Sequence, residues 1–166
     1  MYNSIIYLLH LMEDKLPMGK KVSEFFKDFL EQTNSANRHF TFGRLCYDEQ
    51  SANEAIELIL QGKKTVLFSS LYSYEYGIKK LPKINDFFVV TNWQKEPKCI
   101  IKTTDIKITP FKDISQDIIK LGGKDNSLES WRKYYIGFFE EICRENLKTF
   151  DFNMPVVIQK IELIYK

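Results

Sequence analysis

Between residues 22 and 33 the apolar side chains Val22, Phe25, Phe26, Phe29 and Leu30 recur every third or fourth position, the spacing of one buried helix face. A polar, turn-like stretch follows as far as Asn37. His39-Phe40-Thr41-Phe42 then alternates like a short strand that Gly43 ends. Ser51, with Glu54 three positions on, reads as a capping box opening a second helix. Ala55, Ile56, Leu58, Ile59 and Leu60 form its apolar stripe and Gly62 stops it. Residues 65–71 are β-branched, aromatic and few, which predicts a strand leaving that helix directly. Gly62-Lys63-Lys64-Thr65 therefore sits on a helix-to-strand corner.

Further along, residues 87–91 and 99–108 read as two strands of a hairpin, and a short helix is expected over 113–120. Gly122-Gly123-Lys124-Asp125-Asn126 has the composition of a flexible loop, and Ser127 caps a strong helix. Leu128, Trp131, Tyr134, Tyr135, Phe138, Phe139 and Ile142 give that helix a wide aromatic face, and residues 156–165 form a last strand. Tyr72, Tyr74 and Tyr76 alternate with Ser73, Glu75 and Gly77, either as a half-buried strand, the simpler reading, or as an aromatic-rimmed loop. Strands broken by helices without regular βαβ alternation favour an α+β fold with a compact barrel over a doubly wound sheet. The expected organisation is a helical extension over residues 1–36 and one domain over 37–166.

Composition narrows the class. With 44% hydrophobic and 14% aromatic residues, seven Gly and five Pro, the chain is neither disordered nor linker-like. Its 24 basic and 22 acidic residues balance to +2, so any nucleic-acid site must be a local patch rather than a global field. Cys46, Cys99 and Cys143 are widely spaced and odd in number, as expected of reduced thiols in a cytoplasmic protein. With only His10 and His39 to join them, no metal site is expected. The apolar run over residues 5–12 is too short to span a bilayer, which predicts no membrane partner.

Phe42-Gly43, Gly62-Lys63-Lys64-Thr65, Ser69, Leu81-Pro82, Glu96-Pro97, Asp125 with Ser127-Leu128, Trp131-Arg132, Phe138-Phe139 and the terminal Glu162-Leu163-Ile164-Tyr165-Lys166 recur in an order and spacing that resemble bacterial ASCH-domain proteins. The resemblance runs from Phe42 to Lys166. It implies a PUA-like mixed or antiparallel β-barrel with flanking helices, and a cleft between barrel and helix associated with RNA or nucleoside ligands. In that family some members act as N4-acetylcytidine amidohydrolases and ribonuclease activity is attributed to others. The amidohydrolase-like pattern sets a Thr three residues after a Lys. Lys64 matches the Lys, while Leu67 stands in the Thr position. The family's Glu-Gly-Glu-Gly-Asp stretch appears as Leu121-Gly122-Gly123-Lys124-Asp125, Tyr135 replaces a His found in many relatives, and Arg44 stands where relatives often carry Asp.

Lys64 is thus the candidate catalytic residue and a candidate contact to phosphate or carbonyl; the alternative is a solvated lysine on a turn. Arg132 combines bidentate anion binding with stacking, and a structural ion pair is the equal alternative. Trp131 is either core or a stacking platform. Ser69 and Arg44 complete an expected basic cleft of Lys64, Ser69, Arg132, Trp131 and Arg44. The expected function is binding of single-stranded RNA or a modified nucleoside at a site with degenerate catalytic partners and no cofactor. A small hydrolase is the alternative. A third reading is a protein-interaction module, in which the helix over residues 22–33 or the apolar start packs on a partner or on a second copy as a homodimer.

Overall fold

A computed structural model describes residues 20–75, 79–124 and 127–166. The apolar run over residues 5–12, Tyr76 and Asp125 lie outside the described residues.

Helix α1 (Lys20–Thr33) lays Val22, Phe26 and Phe29, spaced four and three residues apart, onto Phe87, Val89 and Ile100. Strand β1 (Phe40–Gly43) leads into α2 (Glu49–Leu60), and β2 (Val66–Ser70) follows. The expected start of α2 needs correction: its N-cap is Asp48, whose carboxylate accepts from Ser51 N, so Ser51 lies inside the first turn. A carboxylate at that position satisfies an orphan amide and also meets the positive end of the helix dipole, which a serine hydroxyl does not. Residues Leu71–Tyr74 form a 3-10 turn rather than the extended strand expected from the tyrosine alternation; the Ser70 hydroxyl accepts from Tyr72 N and turns the chain at once.

Strands β3 (Phe87–Thr91) and β4 (Pro97–Pro110) form the expected hairpin. A second 3-10 turn (Phe111–Asp113) and the short helix α3 (Gln116–Lys120) lead to the long helix α4 (Leu128–Glu145), and β5 (Pro155–Tyr165) closes the described chain. Ser127 caps α4 as expected, accepting from Ser130 N.

The sheet has five strands in the order β1-β3-β4-β5-β2, with β1 parallel to β3 and every other pair antiparallel. The expected barrel is not closed: among the described residues β1 pairs only with β3 and β2 only with β5. A helix does what closure would have done. Ile56 and Ile59 of α2 pack on Val90, Cys99, Ile101 and Ile161, with Leu67 beside them, so the face opposite α1 and α4 is already covered. Strand alternation divides the core accordingly, with Val89 and Ile100 on the α1 face and Val90 and Ile101 on the α2 face. Beside α4 the core gathers Val66, Phe68, Phe111, Ile119, Trp131, Phe139, Val156 and Ile158.

Near the C-terminal end of α4, Glu145 Oε2 is buried and finds no partner among the described residues. Burial first, and then the neighbouring Glu141, push its carboxyl up to about 7, against the opposing effect of Arg144. The folded state therefore binds this proton more tightly than the unfolded chain, and stability is lost as pH rises from the ordinary carboxylate range to about 7. Glu145→Gln is expected to flatten that part of the profile and to raise the urea midpoint at pH 8 relative to wild type. Parallel profiles from pH 5 to 8 would show that the carboxyl is fully solvated.

Candidate functional site

The corner between α2 and β2 is held from three sides. The amides of Lys63 and Lys64 both donate to Leu58 O, at 2.9 and 3.0 Å, and Gly62 takes a positive φ of 70° to end the helix. The amides of Thr65 and Val66 donate to Leu121 O at 2.8 and 3.2 Å, while Thr65 O accepts from Ile161 N. The segment after α3 is thereby pinned to the start of β2. Gly122 and Gly123 permit the approach, since a Cβ at Gly123 would lie 2.9 Å from Lys63 O.

A narrow cleft of about 60 Å³ opens at this corner, where α2 from one face of the sheet meets α4 from the other around the β2 edge. Lys64, Phe68 and Gly122 line it from the corner, Ser51 and Glu54 from α2, and Trp131, Tyr134 and Tyr135 from α4. Lys64 Nζ donates to Gly122 O at 3.2 Å, which fixes the ammonium at the wall. Lys124, from the Gly-Gly loop, pairs with Glu54 at 2.6 Å. The lining therefore carries two ammonium groups and one carboxylate.

Cys46 also reaches the cleft. Burial raises its thiol pKa, and the nearby Lys64 offsets this only in part, so it is a neutral thiol at physiological pH rather than a nucleophile. Tyr134 is 51% exposed and stands at the rim; burial of its hydroxyl raises that pKa as well.

Of the residues singled out from sequence, the structure brings Lys64 and Trp131 together in this cleft. Ser69 does not join them. It is one residue past Phe68 on β2, and its hydroxyl lies 2.8 Å from the Tyr74 hydroxyl. Arg132 extends away to donate to Lys112 O at 3.0 Å. Arg44 stacks over the Trp93 ring at 4.0 Å, joining the β1–α2 connection to the β3–β4 turn. Leu67 packs with the α2 core. Sequence reasoning missed Cys46, Glu54, Lys124 and Tyr134 as cleft residues; the signal available for Tyr134 was its place one turn from Trp131.

The sequence pattern of the ASCH domain matches residues 40–165. The chain belongs to the ASCH-domain family. This family falls within the PUA-like superfamily and is linked to RNA binding. Among solved structures, an ASCH domain from Lactobacillus crispatus JV V101 is 28% identical, with a TM-score of 0.81 over 91% of this chain and 98% of that one. A protein from Enterococcus faecalis V583 is 25% identical, with a TM-score of 0.79 over 88% of this chain and 89% of its own. Both likenesses extend beyond the stretch that defines the ASCH domain. No curated protein matches the chain. No helix among the described residues is long and apolar enough to cross a membrane, and no group of three metal-ligating side chains is found among them.

Proposed function

We propose that this ASCH domain binds single-stranded RNA or a modified nucleoside at the cleft between α2 and α4. The observation that carries the reading is the fixed ammonium of Lys64, held by Gly122 O in a cleft whose rim is the half-exposed ring of Tyr134. A cation beside an exposed aromatic supplies the two elements of single-strand recognition. The charge takes a phosphate or a polar base edge, and the ring takes a base face at about 1–3 kcal/mol per stacked base. Lys124, whose ammonium lies 6.0 Å from the Tyr134 ring centre, adds a second cation on the same side.

Lys64→Gln is expected to weaken binding of a short single-stranded RNA by about tenfold to a hundredfold, since a charge-assisted hydrogen bond contributes about 1.5–3 kcal/mol. It should also flatten the dependence of log affinity on log salt by about 0.7. Lys63→Gln, on the exposed side of the corner, is the control. Unchanged affinity and slope in Lys64→Gln would place the RNA elsewhere on the surface.

A second reading, hydrolysis of an acylated nucleoside, is favoured by the presence of Ser51 and Glu54 in the same cleft as Lys64. A hydroxyl and a carboxylate thus come from α2, although Leu67 and Leu121 occupy the positions where the family pattern places its polar groups. Release of acid from an acylated cytidine by the full chain distinguishes this reading from binding alone.

A further inference from the structure

We propose that the indole N–H of Trp131 selects a carbonyl oxygen of the ligand, an inference that rests on nucleobase binding at the α2–α4 cleft. Trp131 is 1% exposed yet lines the cleft. Phe111 and Tyr135 stack on it with ring centres 5.2 and 4.6 Å away, and Phe68 meets it edge-on at 5.1 Å. Stacking occupies the faces of the indole and leaves its edge, whose one polar atom is Nε1. This atom is buried and finds no acceptor among the described residues. Buried tryptophan N–H groups normally have a partner, and leaving one without costs about 1–3 kcal/mol. The other buried polar atoms in the same condition belong to Arg44, Thr109, Arg132 and Glu145, and none of those residues lines the cleft.

The chemistry around this donor decides what it takes. Lys64 brings further N–H donors, and the Glu54 carboxylate is engaged by Lys124 at 2.6 Å. With the indole N–H and the Lys64 ammonium both donating and Glu54 Oε2 taken by Lys124, the cleft favours an acceptor on its ligand. Its volume of about 60 Å³ is far below the roughly 300–1,000 Å³ of sites that enclose a whole small molecule. It admits an exocyclic group and leaves the ring at the rim against Tyr134. Uracil, cytosine and guanine each carry an exocyclic carbonyl. Adenine carries an exocyclic amine, whose N–H would face the indole N–H, so adenosine is expected to bind at least tenfold more weakly than uridine.

The chain has two tryptophans, so its side chains give two indole N–H signals in a nitrogen-15 NMR spectrum, and Trp93→Phe assigns them. Titrating the full chain with uridine, cytidine, guanosine and adenosine is expected to shift the Trp131 indole signal and slow its exchange with water for the first three only. Trp131→Phe, which keeps a stacked ring and removes the donor, should bring uridine down to the affinity of adenosine, with folding checked by circular dichroism. If uridine moves the backbone signals of Lys64 and Tyr134 while the indole stays still, nucleoside binding stands and this inference is overturned. An indole shift of equal size with adenosine overturns the carbonyl preference. No movement at any of these sites overturns the binding reading and this inference with it.

Discussion

Phe111→Ala is expected to destabilise the domain by about 3–5 kcal/mol, the usual cost of truncating a fully buried phenylalanine in a core that cannot collapse around the gap. Phe111 has no exposed surface and is in ring contact with Trp131, Phe139, Phe150 and Phe152. It is the residue through which the exit of β4, the face of α4 and the lead into β5 touch one another. Its own position is fixed by the backbone, since its amide donates to Met154 O at 3.0 Å and the next amide donates to Phe152 O at 2.9 Å. Trp131 and Phe139 are carried by α4 and have little freedom to move inward, while Phe150 and Phe152 lie in the connection that leads into β5. Because a domain of this size is stable by about 5–15 kcal/mol in total, the variant should unfold at a much lower urea concentration, with the slope of the transition unchanged. Tyr134→Ala, half-exposed on the same helix, is the comparison and should cost little. A loss below about 1.5 kcal/mol for Phe111→Ala would mean that the cluster repacks and that no single ring holds it together.

Nothing in the sequence marked Phe111. It stands alone after Pro110, outside any periodic run, and its importance comes from where the chain turns after β4. The elements that were legible are those with repeated spacing. The stripe of Val22, Phe26 and Phe29 gave α1, the β-branched run gave β3, and the aromatic face with its Ser127 cap gave α4. The start of α2 was misplaced by three residues because both Asp48 and Ser51 have capping side chains, and only the geometry shows which one accepts the hydrogen bond. Barrel closure was likewise outside local pattern. It depends on whether two edge strands meet, and here α2 covers the face between them with Ile56 and Ile59.

The cleft was legible in part, and for a similar reason. Lys64 and Trp131 lie in segments that carry the family likeness, and both line it. Arg132 and Ser69 lie in those segments too, but residues adjacent along a helix or strand point in different directions. Arg132 follows Trp131 and turns to Lys112 O; Ser69 follows Phe68 and meets Tyr74. Glu54 and Lys124 are 70 residues apart in sequence and form their ion pair only because the loop after α3 folds back on α2.

That fold-back makes Gly123→Ala the variant with the largest expected effect on the cleft. Gly123 has φ of 82°, a region that costs a residue with a Cβ about 1–3 kcal/mol. The added Cβ would also stand 2.9 Å from Lys63 O and 3.1 Å from Lys64 N, and these are backbone atoms with no rotamer to yield. Relief must come from separating the loop from the corner. Such a movement stretches the bonds from Thr65 N and Val66 N to Leu121 O, draws Gly122 O away from Lys64 Nζ and shifts Lys124 away from Glu54. The variant is expected to lose about 1–3 kcal/mol of stability and, while still folded, to bind single-stranded RNA more weakly than Lys64→Gln, because Lys64 loses its anchor and Lys124 is displaced at the same time. Ala at Gly137 is the control, since that glycine is helical and a Cβ there meets nothing within 4 Å. If Gly123→Ala is destabilised by the stated amount yet binds RNA with wild-type affinity, the loop serves the fold alone and the two lysines do not act from one cleft.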